Sequence, residues 1–71
     1  MDFVLEDASG AVVGIEVKAG ATVGTADFKG MRKLAEAAGK QFRAGLVLYD
    51  GETTAPFGAK MWAAPLGCLW G

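Results

Sequence analysis

Asp2, Glu16 and Lys18 are the residues whose types and spacing suit chemistry. Glu16 and Lys18 stand two apart, so on a strand they project from the same face. If Ala8-Ser9-Gly10 is a three-residue loop, Asp7 pairs with Ala11 and Asp2 lies directly opposite Glu16. Their Cβ atoms would then be ~4.5–5.5 Å apart. A two-residue loop shifts the register by one and sets Asp2 against Val17, facing away. Two carboxylates that close repel unless a cation or a proton sits between them. Oxygen-only ligands suit Mg²⁺ or Mn²⁺, with water and substrate phosphate completing an octahedron. Such an ion would polarise a phosphoryl oxygen and help to make hydroxide. Lys18 would orient the attacking water or stabilise developing negative charge. The chemistry implied is metal-dependent phosphodiester hydrolysis.

The elements that must position these residues are legible along the chain. Residues 2–18 read as a β-hairpin: a loosely alternating first strand, the Ala8-Ser9-Gly10 turn, and a second strand rich in Val12, Val13, Ile15 and Val17. Residues 19–24 are small and form a connector. Phe28, Met31, Leu34, Ala35 and Ala38 recur at three- and four-residue spacing, which predicts a helix over 25–38. Thr25 is its expected N-cap, with Asp27 in the first turn where the helix dipole favours a carboxylate, and Gly39 ends it. Gly30, inside the helix, is expected to allow close packing on the sheet. Leu46-Val47-Leu48-Tyr49 predicts a strand buried on both faces, over 44–50. Residues 50–58 read as a loop, 60–64 as a last strand and 65–70 as a short helical turn.

The order hairpin–helix–strand–strand makes a single α/β (α+β) domain over 1–71, with a mixed four-stranded sheet and one main helix. The strands joined through the helix should be parallel with a right-handed crossover, and the hairpin and the last pair antiparallel.

Composition excludes much else. With 71 residues, a net charge of −1, 52% hydrophobic and 21% charged residues, the chain is neither disordered nor built chiefly to grip nucleic acid. Absence of histidine removes Ser-His-Asp and Cys-His catalysis, and the lone Cys68 permits no internal disulfide. No apolar run approaches the ~20 residues of a membrane span. No secretory signal is visible, and a cytoplasmic location is the expectation. Charge is unevenly spread: residues 1–16 carry −4, residues 17–43 carry +4.

Asp2 followed by Glu16-Val17-Lys18 resembles the PD-(D/E)xK motif of restriction-endonuclease-like nucleases. The likeness extends over nearly the whole chain to the domain of unknown function that follows the ATPase module in many prokaryotic AAA-type ATP-binding proteins. It is carried by Asp2-Phe3-Val4-Leu5-Glu6, Gly14-Ile15-Glu16-Val17-Lys18-Ala19, Asp27-Phe28-Lys29-Gly30 with Leu34, Gly45-Leu46-Val47-Leu48-Tyr49, and Pro56-Phe57-Gly58 with Trp62-Ala63-Ala64-Pro65-Leu66. The resemblance implies a partial restriction-endonuclease-like core, with Asp2, Glu16 and Lys18 catalytic and Asp2, Glu16 and the Val17 carbonyl around the metal. The motif's proline is absent and Met1 directly precedes Asp2, so the expectation is a domain truncated at its N-terminus. Ala38-Gly39-Lys40-Gln41 is no ATP site, since Leu34 and Gln41 replace the required Gly and Ser/Thr.

Two functions follow as expectations. One is a non-catalytic remnant or C-terminal accessory module of an AAA-type ATPase family protein. The alternative is a Mg-dependent phosphodiesterase using Asp2, Glu16 and Lys18. Lys29, Arg32 and Lys33 are either the wet face of the helix or contacts to a DNA backbone. Phe57, Trp62, Leu69 and Trp70 read as core or partner surface. A first strand without an outer neighbour is an open sheet edge, through which a homodimer is expected, or else through an uncovered apolar face.

Overall fold

The computed structural model describes the backbone of residues 2–69 and the side chains of residues 2–67. It contains β1 (Phe3–Glu6), β2 (Val12–Lys18), a 3₁₀ turn (Thr25–Phe28) running into α1 (Lys29–Ala38), a second 3₁₀ turn (Gly39–Gln41), β3 (Phe42–Tyr49), β4 (Ala55–Gly58), β5 (Met61–Pro65) and a final 3₁₀ turn (Leu66–Leu69). The mixed α+β class is as expected. Cys68 and Leu69 enter only as backbone, and Trp70 lies outside the described residues.

The sheet has five strands in the order β1-β2-β3-β5-β4, one more than the four expected. The extra strand is β4, in the stretch read as loop. Pro56 and a positive φ of 145° at Gly58 give it loop-like composition, yet it pairs antiparallel with β5 at the sheet's other edge, a place that tolerates proline. Because β4 intervenes, β5 runs parallel to β3, and the antiparallel partner of the last strand is β4 rather than β3. The β2–β3 pair is parallel, as its helical crossover requires.

Register and alternation sort the side chains onto two faces. One face carries Gly14, Glu16, Lys18, Gly45, Val47, Tyr49, Met61 and Ala63, and α1 lies on it. Phe42 joins this face because β3 has one extra residue, Arg43, between the partners of Val12 and Val13. The core forms here: Phe28, Met31 and Val47 are completely buried, with Leu34, Ala35 and Ala38 of the helix packed around them. A second irregularity, between Pro56 and Gly58, turns Phe57 inward to stack on Phe28 at a centroid distance of 4.7 Å.

Gly45, not Gly30, is the glycine that lets helix and sheet approach. A Cβ at Gly45 would lie 2.5 Å from Cγ of Met31, whereas nothing lies within 4 Å of one at Gly30, which is exposed. The opposite sheet face is apolar at every strand position apart from the bulged Arg43. Phe3, Leu5, Val17 and Trp62 on it stay between 37% and 57% exposed. No helix among the described residues is long and apolar enough to cross a membrane.

Candidate functional site

Turn chemistry sets the geometry. The Asp7 Oδ1 oxygen accepts from the Ser9 amide at 2.8 Å, the Ser9 hydroxyl at 2.6 Å and the Ala11 amide at 3.0 Å. Asp7 and Ala11 also share a backbone bond, and Gly10 takes the positive φ of 89° that closes a three-residue loop. These bonds, the Ser9 hydroxyl's first, hold the Asp7 carboxyl below its ordinary value of 3.8. The register follows as expected from a loop of that length: Phe3 faces Ile15 and Val4 faces Gly14. One step further it sets Asp2 opposite Glu16.

Asp2 does not simply project beside Glu16. Its Oδ2 accepts the Val17 amide at 2.6 Å, extending the ladder by a side-chain bond past the end of β1. In an antiparallel pair a residue's amide and carbonyl point the same way, so the Val17 carbonyl also faces the β1 side. Asp2, Glu16 and this carbonyl thus belong to the same end of the hairpin, with the Asp2 carboxylate turned onto the Val17 amide. As a set of hard oxygen donors they fit Mg²⁺ or Mn²⁺ in kind. Among the described residues no group of three or more His, Cys, Asp or Glu side chains gathers into a metal site, so the Val17 carbonyl and water would have to supply the remaining ligands.

Lys18 is placed differently from its expected role. Its Nζ lies 2.8 Å from Oδ2 of Asp27, and that same oxygen accepts the Gly24 amide at 2.8 Å. Asp27 thus closes the entry to the helix region, with Gly24 rather than Thr25 as its N-cap. The Lys18 ammonium, ahead of the Gly24 amide, keeps the Asp27 carboxyl below its ordinary value. Sequence reasoning placed Asp27 only as a first-turn acid. What it missed is that the connector 19–24 brings this turn back over the end of β2.

Lys29, Arg32 and Lys33 lie exposed on the outer side of α1, and Arg32 donates to the Thr25 carbonyl at 2.8 Å. They form a short basic stripe along the helix. Tyr49 is buried at the end of β3, and its hydroxyl donates to the Thr53 carbonyl at 2.6 Å.

The family model of Domain of unknown function (DUF4143) matches residues 1–69. The chain belongs to this family. The DUF4143 match takes in every element described above, from the Asp2 end of the hairpin to the last 3₁₀ turn. Neither the comparison with curated proteins nor that with solved structures returned a match.

Proposed function

We propose that this chain is a non-catalytic accessory module of restriction-endonuclease-like descent, working in the cytoplasm beside an AAA-type ATPase. The observation that carries the reading is the Lys18–Asp27 ion pair at 2.8 Å. A lysine that serves a hydrolytic water must present its ammonium beside the metal; here it ties β2 to the helix entry. Asp2, by accepting the Val17 amide, likewise acts as a fastener of the hairpin end. Both residues have taken up structural work at the positions where the motif resemblance puts chemistry. Support for the ATPase setting comes from the family, since DUF4143 domains are found with AAA ATPases.

The second reading, a Mg-dependent phosphodiesterase, is favoured by one observation: Phe3 faces Ile15 and the Asp2 carboxylate reaches Val17, so Asp2 lies at the same end of the hairpin as Glu16. In it Asp2, Glu16 and the Val17 carbonyl would hold the ion, which would polarise a phosphoryl oxygen. Lys18 would first have to leave Asp27.

Mn²⁺ titration followed by ¹H–¹⁵N NMR separates the two. The accessory reading expects no selective effect at millimolar Mn²⁺. Selective broadening at Asp2, Glu16 and Val17, abolished in Glu16→Ala, would overturn it in favour of the hydrolase.

A further inference from the structure

β1 is an edge strand with three apolar residues at least half exposed: Phe3 57%, Val4 50% and Leu5 56%. The Asp7–Ala11 backbone bond fixes which groups are spoken for. Counting back from it by twos, residues 5 and 3 bond to β2, so the amides and carbonyls of Val4 and Glu6 point away from the sheet. An added strand would find four backbone groups there and an apolar middle to pack on.

Charge decides what that strand can be. Asp2 and Glu6 bracket the apolar residues and share a face with Val4, and Asp7 follows at once. Two copies of β1 paired antiparallel about Val4 would set Asp2 against Glu6 twice over. The other register that lets outward-pointing residues meet, centred on Leu5, would set Glu6 against Val4 and Asp7 against Phe3, with no cation beside either acid. Like charges directly opposite are destabilising, and in neither register does a second copy bring a counter-charge to Asp2 or Glu6. The strand that fits has three apolar residues bracketed by Lys or Arg, a pattern that reads the same in either direction.

We infer that the β1 edge of this protein takes up an extended segment of a partner protein, with a basic–apolar–apolar–apolar–basic pattern, as a sixth strand. This goes beyond the accessory reading and does not depend on it, because the edge is offered whether or not the carboxylates hold an ion.

The test uses the whole 71-residue chain, ¹⁵N-labelled, and the blocked peptide Lys-Val-Val-Val-Lys. At millimolar peptide, hydrogen exchange should slow at the Val4 and Glu6 amides. The charge-reversed peptide Glu-Val-Val-Val-Glu should bind about tenfold more weakly or worse, as two attractive cross-strand pairs become repulsive. Val4→Pro should abolish binding while leaving the β2–β5 resonances in place, since the amide it removes takes no part in the β1–β2 ladder. Glu6→Lys gives an independent check: it should weaken the lysine peptide and strengthen the glutamate peptide. Unchanged Val4 and Glu6 exchange with the lysine peptide, or equal binding of both peptides, would overturn the inference. So would protection of the same amides that grows with protein concentration alone, which would make a second copy the occupant.

Discussion

Lys18 and Asp27 meet at 2.8 Å across the crossover that links the second strand to the helix. One oxygen of Asp27 serves both the ammonium and the Gly24 amide, so a single carboxylate fastens the strand end and the helix entry together.

That double duty gives a graded series. Asp27→Asn keeps an oxygen for the Gly24 amide but loses the ion pair, and Asp27→Ala loses both. The thermal midpoint should fall from the unaltered protein to Asp27→Asn and again to Asp27→Ala. Lys18→Met should cost less when combined with Asp27→Asn than alone, a coupling that a double-mutant cycle of urea midpoints reads directly.

Acid should act through Asp7 and Asp27. Both have folded values below the ordinary 3.8, so between the two values the unfolded chain binds more protons. Their contribution is therefore fully present above about 3.8 and is lost as the pH falls through the depressed folded values. Melting curves recorded downward from pH 5 should drop across that window. Asp7→Asn and Asp27→Asn should each flatten the drop, and a slope unchanged in both variants would refute the assignment.

Two glycines should respond with opposite signs. Gly10→Ala forces a side chain into φ 89° and should destabilise by about 1–2 kcal/mol. Gly30→Ala adds a methyl to an exposed helical position with nothing within 4 Å and should stabilise by about 0.5–1 kcal/mol. Chemical denaturation of the two variants side by side checks both signs.

Gly45→Ala tests the helix–sheet contact. The new methyl would sit 2.5 Å from Cγ and 2.6 Å from Sδ of Met31, and 3.0 Å from Cζ of Phe42. Displacing that packing should cost about 1–3 kcal/mol. Since methionine is the most adaptable neighbour, trimming it with Met31→Ala in the same chain should cost less than the two changes summed.

The hairpin register and the helix could be read from residue types alone, because both are local. Asp7, Ser9 and Gly10 carry the turn within five residues, and the helix repeats every three or four. What stayed hidden depends on distant partners. β4 is a four-residue strand with a proline and a bulge, and only its pairing with β5 makes it a strand. Missing it turned the β5 direction around. Gly30 and Gly45 look alike in sequence, and their roles separate only once Met31 is known to lie over β3. At the candidate site, the pairing of Phe3 with Ile15 was legible from loop length. The ion pair that takes up Lys18 was not, because it rests on the path of residues 19–24 through space.

Because the Asp7 turn satisfies itself with bonds spanning no more than four residues, alignment of the two strands it joins asks nothing of the helix or the far strands. Hairpins of this kind zip in microseconds, well ahead of a crossover that must close over many residues. The alignment of Phe3 with Ile15 is thus set early in folding, and damage to the distant core would leave it intact for as long as the hairpin itself survives.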